Sequence, residues 1–407
     1  MSSFGEILRQ LRTERNLKQS DLATVGISRS HIALLEANKR MPSYEMLQHF
    51  ASKLQVSPAV FFSGQEDEEI QRISTTLVQQ AELAESQKNW ENAHDCWSTV
   101  QVMGKSNHIP SLVTLARWHQ ALALTHLSRW QEALNLLLPL FVAEDFPGQH
   151  ASTYELLTIL ARCFRELGQV DQFITFAQLA GHSVSTSDAR WARSQVNLGT
   201  GYLMLGDLPR ADECYRSAVE ASAESGDGVV EAWARIGWIA TQFDRAMTEG
   251  VPAMMQRIEH LNVLLHPDGL TEALRHIAIV LHRLSGNYQA AKDLLLEYGD
   301  CPHRPELAAR LLEEQILLAA ALQDEAFGQE ALEKIDLLPL NGPLRIRLWT
   351  GVAEYYIVFK RFDLARHAVH RAYAESQTIH YRDFTRLMNL MELVSVENPS
   401  VERRHVE

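Results

Sequence analysis

The sequence predicts an all-α chain: a five-helix N-terminal domain followed by a right-handed α-solenoid. Three observations carry this. Apolar residues fall at helical spacing from residue 4 almost to the end, and no alternating strand pattern persists. Gly and Pro are confined mostly to short breaks. Beyond residue 72, similar turns return at intervals of mostly 38 to 40 residues.

The 407 residues exceed what one compact core holds and predict two or more units. The expected divisions are a first domain at 1–63, an acidic linker opening a linker helix at 64–72, a repeat domain at 73–394, and a tail at 395–407. Charge follows the same division. The net charge is −13, yet residues 1–63 hold eight Lys or Arg against five Asp or Glu, giving +3 and leaving −16 for the rest. A cationic head can meet phosphates while an acidic body stays off nucleic acid.

Within residues 4–56, Leu8, Leu11, Leu22, Ala23, Ile32, Leu35, Leu47, Ala51 and Leu54 keep helical spacing. Ser28, two residues after Gly26, is a good N-cap for a helix starting at Arg29. Pro42 and Ser43 break the chain before the next helix. This is the layout of a DNA-reading helix-turn-helix, whose second helix offers its first side chains to a major groove.

These residues resemble the Cro/repressor-type (XRE) domains. KQSDLA resembles the start of the first motif helix, where a Gln in the place of Gln19 lies beside the DNA backbone. ISRSHIALLE resembles the recognition helix and ANKRMPS the basic loop after it. The resemblance implies that Arg29, Ser30 and His31 approach base edges, with Ser28 at the helix start and Lys39 and Arg40 on phosphates. It also implies an internal ion pair between Arg12 and Glu36. Two departures stand out. The connection from Ala23 to Ser28 is shorter than in most repressors, which bears on the angle of the recognition helix, and Ala37 occupies a position where Gly is common.

The body repeats itself. KNWENAHDCW, SRWQEALNLL, GQVDQFITFA, GDLPRADECY, GNYQAAKDLL and KRFDLARHAV share a small or polar turn, an apolar residue and usually an Ala three further on. The equivalent positions are Ala93, Ala133, Phe173, Ala211, Ala291, Ala331 and Ala365. The interval of 80 between Ala211 and Ala291 leaves room for a degenerate copy containing EAWARIGWIATQF. The clearest copy, with Asn197, Leu198, Gly199, Tyr202, Gly206, Ala211, Tyr215 and Ala218, follows the tetratricopeptide (TPR) pattern. The period exceeds the usual value of about 34, so HEAT-like repeats are the alternative; the recurring turn favours TPR with lengthened helices. About seven or eight hairpins are expected, with a cap over residues 381–394.

First helices of such hairpins line a concave side, which places Arg162, Arg193, Asn197, Trp238, His276 and Glu354 near an inner surface. An Asn side chain can bond both N–H and C=O of an extended peptide, and an Arg can clamp a carboxylate. Each residue also has a structural reading. Asn197 belongs to the repeat consensus, Arg162 and Arg193 suit a solvated or internally paired role, and Trp238 suits a core.

A Cro-type head at the extreme N-terminus followed by TPR hairpins resembles the RRNPP-type peptide-pheromone receptors of Gram-positive bacteria. The resemblance covers nearly the whole chain in architecture and is specific in residues only over the head. It implies a cytoplasmic quorum-sensing regulator: a homodimer on double-stranded DNA whose groove binds an imported short signalling peptide that alters DNA binding. The alternatives are an adaptor that sequesters a regulatory protein and a phage-type repressor not controlled by peptide. No enzyme is expected, with no catalytic residues, metal or cofactor, because no Gly-rich phosphate loop, nucleophile elbow or metal-ligand cluster is present. Cys96, Cys163, Cys214 and Cys301 lie far apart and read as reduced core thiols. No apolar run reaches membrane-spanning length, so no membrane partner is expected.

Overall fold

Helix α1 (Phe4–Glu14) begins at a capping box: Ser3 Oγ accepts from the Glu6 N–H and the Glu6 carboxylate accepts from the Ser3 N–H. A 3-10 helix (Gln19–Leu22) follows, then α2 (Arg29–Glu36), α3 (Tyr44–Leu54) and a second 3-10 helix (Pro58–Phe62). Ser28 and Ser43 cap α2 and α3, accepting from the N–H groups of His31 and Met46. The five expected helical elements are present, but the first motif helix is one 3-10 turn rather than an α-helix. The physical reason is the short connection. Ala23 is already extended, and Thr24 to Ile27 close a tight turn with reciprocal backbone bonds of 3.1 and 3.0 Å. Gly26 sits in that turn at φ 85°, which a glycine adopts without strain.

Helix α1 rests directly on the C-terminal end of α2. A methyl group on Gly5 would stand 2.3 Å from the Leu35 carbonyl oxygen, so only glycine allows this approach. Asn38, held at φ 55°, fastens the contact: its Oδ1 accepts from the Gly5 N–H at 2.8 Å and its Nδ2 donates to Ser3 Oγ at 2.6 Å.

The computed structural model describes residues 3–62, 67–142, 152–245, 247–299, 305–338, 342–378 and 385–396. Apart from the isolated Thr24–Ile27 bridge, the regular structure among them is helical. The body continues with α4 (Asp67–Ser86), α5 (Trp90–Ser106), α6 (Pro110–His126), α7 (Trp130–Val142), α8 (Thr153–Glu166) and α9 (Val170–His182). Next come α10 (Ala189–Met204), α11 (Leu208–Ser225), α12 (Gly228–Asp244), α13 (Val251–Leu265), α14 (Leu270–Leu284) and α15 (Tyr288–Tyr298). The series ends with α16 (Pro305–Leu322), α17 (Glu325–Ile335), α18 (Gly342–Val358), α19 (Phe362–Thr378) and α20 (Thr385–Val396). Hairpins of TPR-like form thus run from α4 to α19, and the degenerate copy is α12 with α13. The expected closing helix is α20; its proposed start at Tyr381 and the tail beyond Val396 lie outside the described residues, as do Cys301 and residues 63–66 of the joint.

The seven repeat-marking positions, Ala93 to Ala365, are all buried to within 1% exposure, which is why the turn motif recurs. Between hairpins the fit is aromatic into glycine. Methyl groups on Gly199 or Gly237 would meet the Tyr215 ring at 2.9 and 2.1 Å, so the ring of α11 lies against bare backbone of α10 and α12. Gly328 and Tyr355 repeat the arrangement between α17 and α18.

Two compact units result, residues 1–156 and 157–407. The first differs from the division at residue 63 that composition suggests. Phe61 is fully buried 5.5 Å from Phe4, and both belong to one core with Ile73, Leu77, Trp97 and Val100. The apolar PAVFF turn carries that core across the charge boundary, so the head is seated on the first hairpins. In the second unit, first helices α10, α12, α14, α16 and α18 each meet the next, whereas among the described residues second helices make no comparable contact with one another. The first helices therefore form the inner layer. No helix of the described residues is long and apolar enough to cross a membrane.

Candidate nucleic-acid interface and inner face

The head's centre is an ion pair that sequence resemblance anticipated. Arg12 forks onto Glu36 with Nε–Oε1 at 2.6 Å and Nη2–Oε2 at 3.1 Å, while its Nη1 donates to the Leu17 carbonyl at 2.7 Å. Gln19 Nε2 donates to the same carboxylate at 2.8 Å. Burial works to raise the Glu36 pKa, but the hydrogen bonds from Arg12 and Gln19 and the Arg12 charge outweigh it and hold it below the ordinary range. The cluster ties α1, the first 3-10 turn and the end of α2 together. Gln19, anticipated beside the DNA backbone, is thus also an internal hydrogen-bond donor.

Around this support the remaining head residues stay outside. Ser28, Arg29, Ser30, Lys39 and Arg40 are exposed. They surround the first turn of α2 and the segment that follows it. His31 is half-buried, and its Nε2 meets Arg40 Nη1 at 2.7 Å. The result is a short capped helix with a cationic, solvent-facing start, held at its far end by a buried salt bridge.

Residues 8–61 match the helix-turn-helix family. Two solved structures align with the chain at low similarity. PlcR of Bacillus thuringiensis, in complex with the peptide PapR7 and DNA, covers 67% of this chain and 99% of its own at 14% identity and TM-score 0.37. The TPR domain of P58(IPK) covers 99% of each chain at 13% identity and TM-score 0.28. No curated protein matches the chain.

The second unit carries a charged inner layer. Arg283 of α14 forks onto Glu314 of α16 at 2.6 and 3.1 Å, and Arg386 of α20 onto Glu354 of α18 at 2.6 and 2.8 Å. Arg347 of α18 donates to Glu313 at 3.3 Å and to Asp244, at the end of α12, at 3.2 Å. That last contact joins residues 103 apart and spans three hairpins, where stacked repeats ordinarily touch only neighbours. Burial works to raise Glu313, yet the charges of Arg347, Arg386 and Arg283 outweigh it; in the adjacent Glu314 burial prevails and the pKa is raised. Burial, with Arg310 next, pushes His276 down to about 3 and keeps its ring neutral.

The six anticipated groove residues separate. Glu354 and His276 belong to this charged layer. Arg193 is exposed and stands 3.7 Å from Asp227. Arg162 is exposed and Asn197 half-buried, each on a first helix. Trp238 turns elsewhere: its Nε1 donates to Asp212 of α11 at 2.9 Å, and it lines a cavity of about 420 Å³ with Gln242, Arg245 and Met254. Sequence reasoning missed Asp244, Arg283, Glu313, Glu314, Arg347 and Arg386. Signals existed. EEQ interrupts the apolar α16, and His276–Arg283 and Arg347–Glu354 are each seven residues apart, on one helical face. Cys163 and Cys214 are pushed by burial to about 12 and about 11, so both stay protonated thiols.

Proposed function

We propose that the chain is a cytoplasmic transcription regulator that binds DNA as a homodimer and changes that binding when its body takes a short signalling peptide. The observation that carries the DNA-binding part is the exposed, basic first turn of α2 on a helix-turn-helix fixed by the Arg12–Glu36 pair. Arg29→Ala is expected to lose about 1–3 kcal/mol at a selected site and to relax the preference there. Lys39→Ala is expected to weaken all duplexes alike and to lower the salt slope by about one. Fluorescence anisotropy over a salt series separates them; equal losses on selected and random duplexes in both variants would remove Arg29 from base reading.

A lone head of charge +3 is a weak binder, so two half-sites read by two heads are the expected operator. The full chain should sediment as a dimer without DNA at micromolar concentration; a monomer would contradict this. The full chain is required because the head shares its core with α4 to α6.

The inner layer supports the ligand reading: its polar side chains face one another on first helices, where an extended peptide can exchange backbone bonds for theirs. The ligand proposed is a peptide of about five to ten residues, some 15–35 Å long when extended. Asn197 holds its backbone, and Arg193 or Arg162 its carboxylate. Asn197→Ala should then abolish the response to peptide while peptide-free DNA binding stays unchanged. Calorimetry with synthetic peptides encoded beside the gene tests this. Equal affinity for the parent, Asn197→Ala and Arg193→Ala would remove these residues from the site. Occupation of the groove by a folded protein instead would favour the adaptor reading.

A further inference from the structure

Arg40 lies in the segment after α2, where a cation ordinarily serves phosphates. Here it is drawn back onto the helix. Its Nη1 stands 2.7 Å from His31 Nε2, in the first turn of α2. A guanidinium has donors only, so in this contact Nε2 is the acceptor. Nδ1 is buried without a hydrogen-bond partner, so the ring keeps its single polar contact outward, at Arg40. The His31 N–H is bound to the Ser28 cap, which fixes the backbone beneath the ring. The two exposed side chains Arg29 and Ser30 precede it on the same turn.

The geometry points to Arg40 as a base-reading residue, with His31 as the group that positions it, and to a guanine edge as what Arg40 reads in the major groove. A guanidinium anchored through one nitrogen keeps its other N–H donors for the paired acceptors O6 and N7 of guanine, a match that a lysine cannot make. This rests on the DNA-binding reading of the head and adds to it a reader nine residues beyond His31.

The test is selection from a randomised duplex pool with the full chain, followed by binding of the selected duplex and of single-base variants across a salt series. For the parent, one guanine position should be strongly preferred. Arg40→Ala and His31→Ala should each relax that same position by about ten- to a hundredfold. His31→Gln, which restores an acceptor, should retain the preference. Arg40→Lys should keep general affinity and lose the preference. If Arg40→Ala weakens every duplex alike and lowers the salt slope by about one, Arg40 is a phosphate contact and the proposal falls. If Arg40→Ala relaxes a position that His31→Ala leaves intact, the positioning role falls. A parent that enriches no sequence overturns the base-reading proposal and the DNA-binding reading together, whereas a parent that enriches one, with preferences unchanged in both alanine variants, overturns the proposal alone.

Discussion

Replacing Glu36 with Ala should destabilise the head by about 3 kcal/mol. The carboxylate side chain is 6% exposed and the Arg12 side chain 11%, so removing the acid leaves a cation with little water to take its place. The lower end of the range for a broken buried pair is expected, because the guanidinium keeps the Leu17 carbonyl. Gln19 loses its acceptor at the same time. Hydrogen exchange on the full chain should show faster opening across α1 and α2, with DNA binding lost in parallel. Glu36→Gln should do less, since an amide can still accept. Were Glu36 a surface acid facing phosphates, its removal would raise DNA affinity and leave exchange unchanged; that outcome would sink the structural role. The pH dependence has a definite sign. The folded pKa is depressed, so the stabilisation is present above the unfolded value and is lost as pH falls through the folded one. Head opening should therefore accelerate below the ordinary carboxylate range, and Glu36→Gln should flatten that dependence.

Tyr215→Ala should cost about 3–5 kcal/mol in the second unit. The ring is 2% exposed between α10 and α12, and the residues facing it are Gly199 and Gly237. Neither has a side chain that could move into the space, so the cavity persists and the upper part of the range applies. The hydroxyl is a separate and smaller matter: it lies 3.1 Å from Thr200 Oγ1, and Tyr215→Phe should cost about 1 kcal/mol. Gly237→Ala attacks the same contact from the other side, with a methyl group 2.1 Å from the ring edge. Thermal unfolding followed by exchange mass spectrometry should localise all three effects to α10–α12. A Tyr215→Ala chain that melts like the parent would show that the hairpins do not depend on this packing.

Much of this was legible along the chain because its causes are local. The Ser28 cap and the Pro42–Ser43 break act within three or four residues, and the buried repeat positions recur at a nearly fixed interval, so spacing alone locates most helices and the turns between them. The exposed basic turn of the recognition helix follows from the same local order. The α12–α13 hairpin shows where this reading thins. Its turn lacks the motif, and only the helical length of the interval betrays it.

What the sequence could not specify depends on which helices meet. The charge boundary near residue 63 suggested a head set apart from its body. Burial of Phe61 with Phe4 and Trp97 joins them, since apolar surface is buried wherever the fold brings it together, whatever the net charge on either side. The pairing of Arg347 with Asp244, 103 residues apart, exists because the stack of first helices brings the end of α12 within reach of a side chain on α18. Trp238 faces Asp212 rather than the charged layer for a similar reason: period fixes the helix, but the rotation of α12 against α11 decides where its side chains point. Along the chain, then, the residues themselves determined an all-helical protein with a helix-turn-helix head and repeated hairpins, because caps and apolar periods act over a few residues. Only the tertiary structure decided the shared core, the inner-layer ion pairs and the seat of Arg40 on His31, because those need surfaces that sequence distance does not order.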